Sequence, residues 1–337
     1  MPPRPLKLTF PGASGADLSA CLDLPAGPIK AWALFAHCFT CTKDLLASRK
    51  LAQALTNAGF AVMRFDFTGL GNSGGDFAST NFSSNLEDLH SAIGYMRDQY
   101  QAPSLLIGHS LGGAAVLAIA GGVPEVQAVA AIAAPAEAAH LIDKFDHKLD
   151  EIERLGEAEV MLSERPFKIK QQLIDDLSAQ NVLDRVATLK KPLLILHAPF
   201  DNVVGIENAK QIFKAAKHPK SFVSLDGADH LLSKPEDAAY AASVIAGWAS
   251  RYVKTDLAIE PLPHGEVLVE ETGIGNYQNH VRLGGHTGFA DEPTAMGGQD
   301  TGPAPYEYVA AGLGACTSIT LRMYADRKKW PVDQIKV

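Results

Sequence analysis

Three residues in this chain have the types and the spacing to do chemistry together: Ser110, Asp201 and His230. Ser110 sits in the run IGHSLGG, residues 107–113, which fits the pattern G-x-S-x-G. An apolar run, Leu105-Leu106-Ile107, leads in, and small helix-favouring residues, Ala114-Ala115-Val116-Leu117-Ala118, lead out. That order predicts a strand, a sharp turn and a helix. A serine on such a turn holds its hydroxyl out into a cleft. Gly108 and Gly112 flank it because a Cβ at either position would meet the adjoining strand or helix. A serine hydroxyl is a poor nucleophile at neutral pH, so it needs a base, and the base needs a carboxylate to orient it. Asp201, in LHAPFDNVV, and His230, in DGADHLLS, each follow a strand-like run, at 192–198 and 221–225. Both follow Ser110 in the chain, in the order Ser, Asp, His. As unrelated loop polars, the two would have no reason to fall beyond successive late strands.

The other titratable residues nearby fit the site less well. His37 ends an early strand. His109 adjoins Ser110, and sequence neighbours rarely face each other across a catalytic hydrogen bond, so a packed or solvent-facing ring is expected there. Asp229 would point away from His230. Asp66, in RFDFTGLGNSGG, is expected to stabilise its own Gly-rich turn. A developing oxyanion needs preorganised backbone donors. One is the N–H of Leu111, at the amino end of the helix after the serine, where free N–H groups and the dipole favour negative charge. The second is expected from Phe39, in the loop HCFTCTKD after the strand at 31–37. Cys38 and Cys41 in that loop form C-x-x-C. A redox pair of this spacing usually opens a helix in a thioredoxin-like unit, so disulfide chemistry is not expected in a loop that already has a role. No second ligand pair is spaced for zinc. The reading calls for no metal and no cofactor.

The elements that must position these residues follow from hydrophobic pattern. Strands are predicted near 5–10, 17–23, 31–37, 60–65, 105–107, 127–133, 192–198 and 221–227. Helices are predicted near 46–58, 84–100, after Ser110, and near 206–217 and 236–251. Strands alternating with helices imply crossovers and a mostly parallel sheet. Residues 136–190 break the alternation with a charged, partly helical stretch. An insertion between late strands is expected to form a cap over the carboxyl edge, where ligands bind in open α/β sheets. The expected organisation is a domain over 1–252, a linker over 253–263 and a second segment over 264–337. In that segment a strand at 266–272 precedes a Gly-rich polar stretch, a long helix and the start of another strand at WPVDQIKV.

The 337 residues are 47% hydrophobic and 20% charged, ordinary for a folded chain with a large core. A net charge of −8 without a basic stripe argues against nucleic-acid binding. The sequence has neither an apolar run of membrane-spanning length nor the apolar stretch of a signal peptide at its start. Four cysteines do not make a disulfide framework, so a reducing cytoplasm is the expected location.

Residues 1–252 resemble the α/β-hydrolase superfamily, of the compact esterase and S33-peptidase-like type. The motifs that carry the resemblance are HCFT (37–40), RFDFTGLGNSGG (64–75), GHSLGG (108–113), APFDNVV (198–204) and GADH (227–230). It implies an α/β-hydrolase fold with a mostly parallel sheet and a small helical cap. It also implies Ser110 as nucleophile, His230 as general base and then acid, Asp201 as its orienter, and Phe39 and Leu111 as the oxyanion hole. Cys38 stands where many relatives have glycine. Residues 264–337 resemble part of an OsmC-like peroxide-reductase module, on GGHTGFADEP (284–293) and GGQDTGPAPYEYVAAGLGACTSITLRMYADRKKWP (297–331). That likeness implies a partial α+β segment, a redox role for Cys316 with Glu307 before it, peroxide stress as the setting, and a homodimer formed through this segment. No cysteine follows Cys316 to resolve a sulfenic acid, and a cysteine on an apolar helix is usually an inert core residue. A partial module is expected to be poorly ordered, or stabilised by another copy.

The function expected from these residues is a serine hydrolase acting on a small acyl substrate, a carboxylic ester first. The alternatives are a thiol peroxide reductase through Cys316 with the hydrolase part as scaffold, an S33-like peptidase, and a non-catalytic platform that keeps the fold. The poised polar trio argues against the last.

Overall fold

The apolar runs become the centre of one eight-stranded sheet. The computed structural model describes residues 5–25, 29–162, 165–254, 262–263 and 265–337. The strands of the sheet are β1 (Leu6–Pro11), β2 (Asp17–Asp23), β3 (Ala31–Ala36), β4 (Phe60–Phe65), β5 (Leu105–His109), β6 (Ala128–Ile132), β9 (Leu193–His197) and β10 (Lys220–Ser224). Their order across the sheet is β1-β2-β4-β3-β5-β6-β9-β10. The first two are antiparallel, and the six from β4 to β10 run parallel. Every residue of β3, β4, β5, β6 and β9 is buried, as expected of parallel strands covered on both faces.

The covering helices explain the periodicity of the segments between. Helix α1 (Leu46–Asn57) and helix α8 (Pro235–Ala249) pack on one face, where Ala47, Leu51 and Leu55 meet Ala238, Ala241 and Ile245 over Phe35, Val62 and Leu196. Leu51 and Leu55, one turn apart, are 1% and 0% exposed, and burying each contributes about 1.5–3 kcal/mol. Helix α1 gives way at Gly59, whose φ of +95° is open to a residue without a Cβ. Helix α2 (Phe82–Gln99) starts at a reciprocal cap. Asn81 Oδ1 accepts from Ser84 N–H at 2.9 Å, and the Ser84 hydroxyl oxygen accepts from Asn81 N–H at 2.9 Å. Helix α3 (Leu111–Ile119) follows β5 directly, and helix α7 (Glu207–Ala215) connects β9 to β10.

The insertion at 136–190 is less helical than its charge pattern predicts. A 3₁₀ stretch (Ala138–Lys148) and helix α4 (Leu149–Leu155) lead into an antiparallel hairpin, β7 (Glu157–Leu162) with β8 (Arg165–Lys170). Helices α5 (Gln171–Ala179) and α6 (Val182–Ala187) follow. Ala158 and Val160 are buried between the outward-facing Glu157 and Glu159, a period of two. The insertion is tied to the body of the unit. Asp176 accepts from the N–H of Ser83, and Gln172 Oε1 accepts from the Asn81 side-chain N–H.

The chain divides into two compact units, one taking in Pro5–Pro25 and residues 29–254 and the other the described residues from 262 on. Most of the expected linker at 253–263 lies outside the described residues. The second unit holds a three-stranded antiparallel sheet, β11 (Val267–Glu271), β12 (Asn279–Leu283) and β13 (His286–Ala290), and the 24-residue helix α9 (Pro305–Lys328). The Gly-rich stretch is thus two strands joined at Gly284-Gly285, where Leu283 faces His286 across a two-residue turn. Of helix α9 only Ala325 is buried, and Val309, Leu313, Ile319 and Met323 are exposed. The strand expected at Trp330–Val337 does not form. Instead, the Val332 carbonyl accepts from Arg322 Nη1 at 2.7 Å, and Trp330 packs edge-on to Tyr324. Among the described residues no helix is long and apolar enough to cross a membrane.

Candidate active site

Ser110 occupies the turn between β5 and α3 with φ 54° and ψ −124°, a conformation L-residues seldom adopt. Its N–H donates to the Ile132 carbonyl at the end of β6 at 2.8 Å, which ties the turn to the neighbouring strand. The flanking glycines are required by backbone contacts. A Cβ on Gly108 would lie 2.2 Å from the Gly112 oxygen, and one on Gly112 would lie 2.3 Å from the His37 oxygen. Helix α3 therefore sits hard against both β5 and the end of β3.

The loops after β9 and β10 emerge side by side, because the two strands are parallel neighbours with Ser224 opposite His197. Asp201 and His230 lie on those loops and meet. His230 Nδ1–H donates to Asp201 Oδ2 at 2.7 Å, and the Ser110 hydroxyl donates to His230 Nε2 at 3.0 Å. An ionised carboxylate only accepts, so the proton belongs on Nδ1 and Nε2 is left as the acceptor. The other carboxylate oxygen, Oδ1, accepts from the N–H groups of Val203 and Val204 at 2.8 and 2.9 Å. Burial pushes the Asp201 carboxyl up, but the hydrogen bonds from His230, Val204 and Val203 outweigh it and hold the group below its ordinary value. The three side chains can thus pass a proton from Oγ to Nε2 beside a fixed negative charge.

Phe39 and Leu111 line one pocket together with His37, Cys38 and Gly112. The Leu111 N–H opens helix α3, and among the described residues neither its N–H nor that of Phe39 donates a hydrogen bond. The Phe39 loop is anchored from below. Asp66, 0% exposed, accepts from the Lys43 N–H at 2.6 Å and from the Lys43 ammonium at 2.7 Å. The same carboxylate accepts from the Asn72 N–H at 3.0 Å, so Asp66 holds its Gly-rich turn and the neighbouring loop together. The insertion reaches this wall through aromatic contacts, Phe145 to Phe39 at 6.4 Å and Phe167 to Phe77 at 4.8 Å between ring centroids. One expectation is corrected here: Cys38 and Cys41 are joined by a disulfide, with Cα atoms 5.3 Å apart. A loop that turns back on itself within four residues brings the two sulfurs together without a thioredoxin-like helix.

His109 is packed, one of the two placements expected of it, and its bonding partner is what the sequence did not show. Its ring is buried, and Nε2–H donates to the His230 carbonyl at 2.7 Å, so it holds the backbone of the residue facing Ser110. No local pattern points to that bond, because every residue of β5 is buried and the strand shows no alternation. Asp229 accepts from the Ser233 N–H at 2.8 Å and so caps its own turn.

Burial, with the neighbouring His230, pushes the His109 value from 6.5 down to about 4. Between those values the unfolded chain takes up a proton that the folded chain refuses, so stability falls as pH drops through 6.5 and the loss is complete near 4. The slope is about 1.4 kcal/mol per pH unit. His109→Gln keeps a donor for the His230 carbonyl without a titratable ring. Urea unfolding at pH 7 and 4.5 should show the variant losing about 2–3 kcal/mol less than the wild type over that interval. An unchanged loss would show that His109 does not stay neutral when folded.

In the second unit Glu307 and Cys316 are not brought together. Glu307 accepts from the Ala304 N–H at 2.8 Å and caps helix α9, while Cys316 lies nine residues on, about 13 Å along the axis. Cys316 is exposed rather than buried in an apolar helix, because nothing among the described residues packs on that part of α9.

Residues 29–155 match the family described as serine aminopeptidase, S33, and residues 298–337 match the OsmC-like protein family. A solved structure of the esterase domain of a Rhodothermus marinus protein is 50% identical, covers 74% of this chain and 99% of its own, and superposes with a TM-score of 0.61. The chain belongs to the α/β-hydrolase family. This hydrolase also carries an OsmC-like segment over residues 298–337. Est1E of Butyrivibrio proteoclasticus, solved with ferulic acid, shares the hydrolase fold at 22% identity over 73% of this chain and 99% of its own, with a TM-score of 0.60. The human mitochondrial palmitoyl-protein thioesterase ABHD10 is 27% identical over 161 residues, 46% of this chain and 51% of that protein. The hydrolase spans between about half and three fifths of the length of the curated relatives it matches.

Proposed function

We propose that this hydrolase cleaves a small acyl substrate, a carboxylic ester first, through an acyl-enzyme on Ser110. The observation that carries the reading is the unbroken chain of hydrogen bonds from Ser110 through His230 to Asp201, at 3.0 and 2.7 Å. Ser110 Oγ attacks the acyl carbonyl while His230 Nε2 takes its proton. The N–H groups of Leu111 and Phe39 receive the oxyanion. His230, now protonated on both nitrogens and paired with Asp201, returns the proton to the leaving alcohol. Water then repeats the sequence with His230 as base and releases the acid. Support for an ester comes from the half-identical esterase domain of Rhodothermus marinus. A thioester would pass through the same steps, and ABHD10 is named for that substrate class.

A panel of p-nitrophenyl esters of rising chain length, with an acyl thioester alongside, measures both reactivity and acyl preference. A fluorophosphonate probe should add one phosphonyl mass to the peptide bearing Ser110. Turnover of one or more panel members together with labelling at Ser110 is expected. A wild-type chain that stays unlabelled across pH 6 to 9 would overturn the reading.

A further inference from the structure

We propose that Cys38 and Cys41 form a redox site in the loop that carries Phe39, with the disulfide as the form competent for hydrolysis and a small dithiol as its reductant. The proposal rests on the serine-hydrolase reading, in which the Phe39 N–H receives the oxyanion. The bridge encloses only Phe39 and Thr40. Thr40 is β-branched and stands at φ 60°, in the left-handed region that such residues avoid. The segment is fixed at both ends. The Cys38 carbonyl accepts from His37 Nδ1–H at 2.8 Å and from the Cys41 N–H at 3.2 Å, and Lys43 is held by Asp66. Between those anchors the cross-link is the covalent element that keeps Thr40 in an unfavourable conformation. Once it is cut, Thr40 can relax to ordinary backbone angles, the Cys41 N–H can leave the Cys38 carbonyl, and the Cys38–Phe39 peptide that carries the Phe39 N–H keeps only its bond to His37. A donor that has left its line to the oxyanion contributes little.

The chemistry balances as thiol–disulfide exchange. Cys38 is buried and Cys41 partly exposed, so the reductant's thiolate attacks Cys41 Sγ. The Sγ–Sγ bond breaks and Cys38 leaves as a thiolate that takes a proton from solvent. The second thiol of the reductant then displaces Cys41 Sγ and closes its own disulfide. Two electrons pass from the dithiol to the bridge, and both cysteines end as thiols. A small disulfide such as oxidised glutathione reverses the exchange, leaving two molecules of its thiol. The remaining cysteines can be separated from this response. Cys21 is buried in β2, and Cys316 is exposed and can be replaced.

The test uses the full chain carrying Cys316→Ser. Hydrolysis of one p-nitrophenyl ester is followed in the oxidised protein, after dithiothreitol, and after restoration with oxidised glutathione. Alkylation and mass spectrometry count thiols at Cys38 and Cys41 in each state. Reduction should lower kcat by about tenfold or more with KM within about threefold, since one oxyanion donor is worth about a hundredfold to a thousandfold. Oxidised glutathione should restore both the bridge and the rate. The Cys38→Ser, Cys41→Ser double variant, shown folded by its melting curve, should stay at the reduced rate and ignore both reagents. Unchanged kcat with both cysteines alkylated, a bridge that resists reductant in the folded protein, or full activity in the double variant would each overturn the proposal. Fluorophosphonate labelling separates the two readings. Equal labelling of Ser110 in both redox states removes the redox role alone, and no labelling in either removes both.

Discussion

Ser110→Ala is expected to lower kcat on the best ester of the panel by about 10⁴- to 10⁶-fold, with KM nearly unchanged. The size follows from what remains. The variant keeps the two candidate oxyanion donors, Leu111 N–H and Phe39 N–H, and the His230–Asp201 pair, so it can still polarise a bound carbonyl and activate water. It loses the oxygen proposed to form the acyl bond, and with it the division of one hard step into two easier ones. Folding is a small concern at this position. Alanine and serine carry the same Cβ, so the cost of φ 54° is common to both, and the Ser110 N–H bond to Ile132 does not involve the side chain. Steady-state kinetics with matched melting curves check the prediction. A loss below tenfold in a folded variant would mean that the acyl group is not carried on Ser110.

Much of the fold and of this site was legible because each signal was local and strong. The run Leu105-Leu106-Ile107 and the glycines around Ser110 specify a strand, a tight turn and a helix within a dozen residues, and the turn forms as the contacts of Gly108 and Gly112 demand. Asp201 and His230 could be named because β9 is an apolar run and β10 a short strand-like one, and each ends where a loop begins. Their meeting depends on β9 and β10 being parallel neighbours, which the alternation of strands and helices implies. What escaped reading depends on contacts between distant segments. The bond from His109 to the His230 carbonyl spans 121 residues and leaves no trace in either local pattern. The hairpin β7–β8 was hidden because Glu157, Glu159 and Lys168, which face outward on a strand, look just as natural on a charged helix. The disulfide between Cys38 and Cys41 depends on how tightly the loop turns, which a C-x-x-C spacing does not determine.

Asp201→Asn should cost about ten-thousandfold in kcat, and the reason lies in which way the new amide would face. In the wild type Oδ1 accepts from two backbone N–H groups, Val203 and Val204, and Oδ2 accepts from His230 Nδ1–H. An asparagine has one oxygen and one NH₂ group to place in the same two positions. Turning the NH₂ toward Val203 and Val204 would set donors against two donors, so the oxygen stays there and the NH₂ faces His230. A donor at that position needs an acceptor, so His230 gives up its proton on Nδ1 and carries it on Nε2 instead. Nε2–H points at the Ser110 hydroxyl and cannot take its proton. The variant should therefore fold with its hydrogen bonds intact and melt close to the wild type, while its kcat and its rate of fluorophosphonate labelling fall together. KM should change little, because Asp201 touches no substrate atom in this arrangement. An Asp201→Asn enzyme within tenfold of wild-type kcat would show that His230 does not depend on this carboxylate for its tautomer, and the proton path from Ser110 would then have to be assigned to another pair.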